Sequence, residues 1–415
     1  MAASYESARR WLYGHRQKGM KFGLERMRAA AAARGRPDRG QAFVHVAGTN
    51  GKGSTCAFIE RALRAAGYRT GWFSSPHLHR LGERFRVNGR AMGDAELARR
   101  IEALRAADLD LTFFEYSVLL AFETFRDKGC DVSVLEVGLG GRLDATNIID
   151  ASAVSVVTEI GLDHTAILGT TRKAIAREKG GIFRKGGRAV IGATGDAAET
   201  LHGLARRKKM GVRRLGHDFD VQPGVGLSVD DARYAPRLGL RGEHQWQNAA
   251  TAVAALHSLR DAGFDVPNHA IETGLRLARW AGRLERRRVR GVEWIFDGAH
   301  NPSAAEALGK HLAQLSPKRT VLLFGALGDK DHEGLLRPLD SHADERVYAL
   351  PKVPRAADLR ALARRFPGRV ARSVRDGLRL AEAKAGAGGR VVVSGSLFLV
   401  ADARAKLLGL RADPI

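Results

Sequence analysis

The stretch HVAGTNGKGST, His45 to Thr55, decides how the chain is read. It follows the apolar run FVHVAG and leads into a helical pattern that opens near Ser54. Gly48, Gly51 and Gly53, with Thr49 and Asn50 between them, form a loop of small residues whose backbone N–H groups can approach phosphate oxygens, and the following helix N-terminus adds positive potential. Lys52 would reach the β- and γ-phosphates, with Ser54 and Thr55 beside the bound cation. The usual phosphate-loop pattern nevertheless fails: Val46 stands where its first Gly belongs, and Gly53 follows Lys52 in place of Ser or Thr. The structural alternative is a plain Gly-rich turn between strand and helix.

Around this loop, short apolar runs alternate with helical patterns. TGWFSS, DVSVLEV, ASAVSVVTEI and RAVIGA follow FVHVAG, and WIFDG, TVLLFGAL, ERVYAL and RVVVSGS come later. Consecutive Val, Leu, Ile and Phe predict strands buried on both faces. Helices are expected over Ser54–Ala66, Ala95–Ala106, Ser117–Lys128 and Asn248–Ala262, and the alternation points to α/β architecture with doubly wound parallel sheets. In RLERRRVRGVEW charge replaces apolar pattern just before a new strand–helix series. That change predicts an N-terminal phosphate-loop ATPase domain over 1–286 and a smaller Rossmann-like α/β domain over 287–415.

The chain has 415 residues, of which 44% are hydrophobic, enough for two or three buried cores. Lys plus Arg exceeds Asp plus Glu by 68 − 45 = 23. The basic residues are dispersed, without an aromatic-interleaved stripe, so the excess fits polyanionic substrates better than nucleic acid. Cys56 and Cys130, the only cysteines, are far apart and form no disulfide framework. The first twenty or so residues lack an apolar core of signal-peptide length, and VVVSGSLFLVA is too short to span a bilayer. The expectation is a cytoplasmic protein without membrane or nucleic-acid partners.

FGLERM, HVAGTNGKGST, SSPHL, TFFE, LEVGLGGRLDATN, GLDH, REKGGIF, NAATA, GRLE, DGAHNP and SGS occur in this order along nearly the whole chain. In these motifs the sequence resembles the folate branch of the Mur ligase superfamily, the folylpolyglutamate and dihydrofolate synthases. GTNGKGST is similar to that branch's own shorter phosphate loop, which accounts for the failed pattern.

The resemblance assigns metal ligands. Ser75, Glu136 and His164 each follow a strand, where a cation bound to phosphates would sit, and the matching motifs use them for Mg²⁺. Read singly, Ser75 caps a turn, Glu136 pairs with Arg142, and His164 is a loop histidine. For Lys179 in REKGGIF the resemblance implies carbamylation by CO₂, which turns the cation into a carboxylate ligand for a second Mg²⁺. Gly180 stands where the family has Ala. The implied chemistry is activation of a folate-side carboxylate by ATP, the co-substrate, to an acyl phosphate, followed by attack of the L-glutamate amine. Lys52, His164 and Lys179 are the expected catalytic-site residues, His164 acting by holding metal and not as a base.

In the second domain, Asn301 and Pro302 read as an N-cap and a first helical residue. The resemblance gives Asn248, Arg283, Asp297 and His300 nucleotide contacts, although Asn248 also suits a helix cap and Asp297 an ion pair with Lys. GALGDKD and Ser394-Gly395-Ser396 end two further strands and are expected to line the same cleft, with ATP between domains that close on it.

For the acceptor, the resemblance implies a pocket for dihydropteroate or reduced folates from Lys21, Phe22, Thr112, Phe113, Phe114, Glu115, Leu143, Asp144 and Ala145. Phe113 and Phe114 either stack on the ligand or belong to the core. Lys21 replaces an Asp frequent in bifunctional relatives, so a monofunctional folylpolyglutamate synthase is the alternative to a bifunctional enzyme. A peptidoglycan Mur ligase is excluded by the few residues ahead of Gly48, and the family resemblance implies a monomer. A non-enzymatic nucleic-acid binder leaves the phosphate loop, Glu136 and DGAHNP unexplained.

Overall fold

The apolar runs fold as strands whose two faces are both covered. The computed structural model describes residues 4–19, 23–351, 353 and 356–414. Contacts divide the chain into two units, residues 1–77, 81–239 and 245–278 in the first and 78–80, 240–244 and 279–415 in the second.

The first unit is built on β1 (Ala42–Ala47), β2 (Thr70–Phe73), β3 (Phe85–Val87), β4 (Arg90–Ala91), β5 (Val132–Glu136), β6 (Val154–Val157), β7 (Arg188–Ile191) and β8 (Gly211–Arg214). Their order is β4-β3-β2-β5-β1-β6-β7-β8. From β2 to β8 neighbouring strands run parallel, while β3 and β4 extend one edge antiparallel. Strand order reverses around β1, which places the phosphate loop at the topological switch point where open α/β sheets bind ligands. Phe43, Phe73 and Leu135 pack with Leu12, Met27, Phe122 and Phe125, whereas Ala47, Val157 and Ile191 pack with Ile175, Phe183 and Leu201. Each large apolar side chain so buried contributes about 1.5–3 kcal/mol. A three-stranded antiparallel sheet, β9 (Phe219–Gln222), β10 (Gly226–Val229) and β11 (Ala232–Tyr234), was not expected from the sequence, because its strands are short and half polar.

The second unit contains β12 (Glu285–Val289), β13 (Val292–Phe296), β14 (Thr320–Phe324), β15 (Glu345–Tyr348), β16 (Arg369–Val370) and β17 (Arg390–Ser394), ordered β12-β13-β17-β14-β15-β16. All but the β12–β13 pair are parallel. Val391 and Val393 join one core and Val392 the other, the alternation of a strand with helices on both sides. The charged segment expected to mark a boundary at 286/287 is itself the edge strand β12, with Arg287 and Arg288 exposed, and the unit begins at Arg279. Charge on an edge strand discourages pairing with other chains.

Two helices begin about one turn earlier than periodicity predicts. One spans Phe113–Asp127 because Thr112 and Glu115 close a capping box ahead of it. The other spans His244–Arg260, so Asn248 lies inside it and caps nothing.

Candidate active site

At the end of β1 the backbone must turn within a confined space. Gly48 has φ 151°, and a Cβ there would stand 1.8 Å from Thr158 Oγ1. Gly51 has φ 86°, and a Cβ would stand 2.1 Å from Asn248 Oδ1, so Asn248 packs directly on the loop. Thr158 Oγ1 donates to the carbonyl of Asn50 at 2.6 Å, and the amides of Thr49 and Asn50 donate to the carbonyl of Glu159. The loop is thus fixed by its neighbour strand before any ligand arrives. Gly51 is the N-cap of the helix Lys52–Ala65, and no side chain caps it. The amides of Lys52, Gly53 and Ser54 therefore open a first helical turn suited to an anion.

Lys52 Nζ donates to the carbonyls of Gly48 at 2.9 Å and Thr49 at 3.1 Å. Lys179, 5% exposed at the end of the helix Arg172–Lys179, donates to the same Gly48 carbonyl at 2.9 Å. Burial, followed by repulsion from Lys52, pulls the Lys179 amine down to about 7, although Asp163 and Asp144 counteract this.

Glu136 is buried at the end of β5 and accepts from the amide of Ser75 at 3.4 Å. Arg142, considered as its partner, pairs instead with Glu178. His164, with φ 50°, precedes the short helix Thr165–Leu168; its side chain is 45% exposed and lies 3.9 Å from Asp163. Asp163 belongs to the motif GLDH but was given no role from sequence, and its field reaches Lys179. Among the described residues, no group of three or more His, Cys, Asp or Glu side chains is placed to hold a metal ion. The Ser75 hydroxyl and the Glu136 carboxylate are hard oxygen donors of the kind Mg²⁺ takes, a carbamate on Lys179 would add two more oxygens, and the His164 imidazole is a softer donor beside them.

On the acceptor side, Thr112 and Glu115 spend their polar atoms on the capping box, and Glu115 also receives Arg26 at 3.2 Å. Phe113 and Phe114 are half-buried, Phe114 lying 5.9 Å from Phe73. Asp144 is buried and accepts from the amides of Gly138, Leu139 and Thr146 and from Thr146 Oγ1, locking the turn that carries Leu143 and Ala145. Thr146 Oγ1 also meets His45 Nε2 at 2.8 Å. Burial, then the charge of Arg184, keeps His45 neutral down to about 3. Lys21 and Phe22 lie outside the described residues.

In the second unit, Asp297 accepts from the amides of Leu284 at 2.9 Å and Ala299 at 3.0 Å, tying together the GRLE and DGAHNP loops, and among the described residues it pairs with no lysine. Arg283 packs against Gly298, and His300 Nδ1 lies 2.8 Å from the Gly298 carbonyl. Asn301 caps the helix Pro302–Ala313 as expected. Gly395 approaches the Gly325 carbonyl, so the loops GALGDKD and SGS adjoin.

Residues 46–256 match the Mur ligase middle domain and residues 282–397 the Mur ligase glutamate ligase domain. The dihydrofolate synthase/folylpolyglutamate synthase of Escherichia coli is 40% identical over 92% of this chain and 91% of its own. The chain belongs to this family of Mur ligases. A probable bifunctional folylpolyglutamate synthase/dihydropteroate synthase of Halobacterium salinarum is 38% identical over 97% of the chain, which spans only 51% of that longer protein. The structure of E. coli FolC in complex with DHPP and ADP superposes with a TM-score of 0.90 at 37% identity, covering 98% of both chains. A bifunctional folylpolyglutamate synthase/dihydrofolate synthase with Mn, AMPPNP and L-glutamate bound superposes at 0.88 with 35% identity, covering 98% of this chain and 100% of the other. Membership makes this chain an ATP-dependent acid–amino-acid ligase that works with a divalent cation. Among the described residues no helix is long and apolar enough to cross a membrane.

Proposed function

We propose that this ligase joins L-glutamate both to dihydropteroate, forming dihydrofolate, and to reduced folates, extending their glutamate tails. The observation that carries the reading is the pair of lysines on one carbonyl at the phosphate loop, at the carboxyl end of β1. ATP would lay its phosphates along the first turn of the helix Lys52–Ala65, with Lys52 exchanging the carbonyls of Gly48 and Thr49 for phosphate oxygens. An acceptor carboxylate oxygen attacks the γ-phosphorus and ADP departs. The glutamate amine then attacks the resulting acyl phosphate, loses its proton and expels inorganic phosphate. The chain's part is orientation and charge neutralisation.

Lys179 is assigned as the carbamate. Two ammonium groups on one carbonyl repel, and the buried one yields its proton near neutrality. A neutral amine is the form that adds CO₂, and the product is an anion that attracts Lys52. Mg²⁺ held by Ser75, Glu136 and His164, with a second Mg²⁺ held by this carbamate, would offset charge on the transferring phosphate. Residues 112–115 and 143–145 are assigned to the acceptor, with Asn248, Arg283, Asp297 and His300 as nucleotide contacts. The working form is taken to be a cytoplasmic monomer, without membrane or nucleic-acid partners.

Phosphate release with ATP, Mg²⁺ and L-glutamate tests this, comparing dihydropteroate with tetrahydrofolate. Turnover with both is expected. Turnover with tetrahydrofolate alone would reduce the enzyme to a folylpolyglutamate synthase.

A further inference from the structure

The acceptor side of the first unit holds a buried cation that, among the described residues, forms no ion pair with a carboxylate. Arg84 ends the 3₁₀ turn Leu81–Arg84 and is 5% exposed. Its Nε donates to His77 Nδ1 at 2.8 Å, while Nη1 has no hydrogen-bond partner among the described residues. His77 Nε2 in turn lies 3.2 Å from Tyr13 Oη. The Arg84 guanidinium sits 5.1 Å from the centre of the Phe113 ring. The exposed Arg16 lies 5.0 Å from that same ring and 3.7 Å from the ring of Tyr13. Tyr13 meets Phe113 edge-on at 5.5 Å.

A buried guanidinium with unused donors is strongly unfavourable unless an anion arrives to take them. Stacking on an aromatic face fixes the plane of the guanidinium and leaves its in-plane N–H groups able to grip a carboxylate by two parallel bonds. The position suits the reaction. The backbone carbonyl of Arg84 accepts from the amide of Ser74 at the end of β2, and the charge of Glu136 is felt at the Arg84 side chain.

We propose that Arg84, assisted by Arg16, binds the acceptor's reacting carboxylate, and that Phe113 serves as the platform for these guanidinium groups rather than as a stacking partner for the pterin. The inference rests on the acceptor reading given above. Arg84 would hold one edge of the carboxylate and offset its repulsion from the γ-phosphate, leaving an oxygen lone pair free to attack.

The test is equilibrium binding of dihydropteroate and of its carboxamide, in which the acid is replaced by an uncharged amide, to the full chain. Wild type is expected to prefer the acid by about ten- to a hundredfold. Arg84→Gln should bind acid and amide alike, Arg16→Gln should lose part of the preference, and the KM for ATP should stay unchanged in both. Because Arg16 is exposed, its variant keeps the test decisive if Arg84→Gln fails to fold: a full preference in Arg16→Gln would then overturn the pairing. Undiminished preference in a folded Arg84→Gln, or no preference in wild type, overturns the proposal alone. Wild type that binds neither compound overturns the acceptor reading and this inference with it.

Discussion

Lys52 and Lys179 meet at the carbonyl of Gly48, and their opposed needs set the chemistry at the residue scale. Lys52→Ala should lower ATP turnover about a hundredfold or more while leaving the melting temperature near that of wild type; near-normal turnover would remove the phosphate-loop assignment. Lys179→Ala should be inactive, with partial recovery on adding short carboxylates, and isotope-labelled bicarbonate should yield a carbamate signal in wild type that the variant lacks. Gly48→Ala tests the loop's confinement. Thr158 Oγ1 is held by the carbonyls of Ala47 and Asn50 and cannot retreat from a new Cβ. A cost of about 1–3 kcal/mol is expected from thermal melts, together with weaker ATP binding.

At the scale of elements, the capping box shows how one motif serves two readings. The segment TFFE carries the Thr-x-x-Glu spacing that starts a helix, and both side chains are spent on that task before any ligand is considered. Thr112→Ala should therefore cost about 1 kcal/mol of stability, measured by denaturant unfolding, and raise the acceptor KM only through the displaced Phe113 and Phe114. The strand ends bearing the loop, Glu136 and Ser75 were legible because apolar runs punctuated by glycine and serine mark buried parallel strands. Asp163 and Arg84 were not, since an acidic or basic residue in a loop has no sequence signal that separates a buried partner from a solvated one. The sheet β9–β11 was equally hidden, because strands of three or four residues carry too little alternation.

Across the whole molecule, two α/β units each wind helices over both faces of a largely parallel sheet, and the cores enclose several neutral imidazoles. Burial first, with nearby arginines second, keeps His45 neutral to about 3 and His311 to about 4, and burial also lowers His244 and His257. The unfolded chain takes up these protons below its ordinary value near 6.5, so it binds more protons than the folded chain and stability falls as pH drops through that window. His45 alone should cost about 2 kcal/mol at about pH 5, seen as a falling melting temperature; a flat profile would contradict the burial. The boundary read at 286/287 falls inside the edge strand β12, because an arginine-rich edge strand looks like a linker in sequence. The central claim, transfer of phosphate to the acceptor carboxylate before amide formation, is tested most directly by turnover of dihydropteroate carrying a heavy-oxygen label in its carboxylate. The label should appear in the released inorganic phosphate, one oxygen per turnover. Dihydrofolate formed with no label in the phosphate would contradict the acyl-phosphate route.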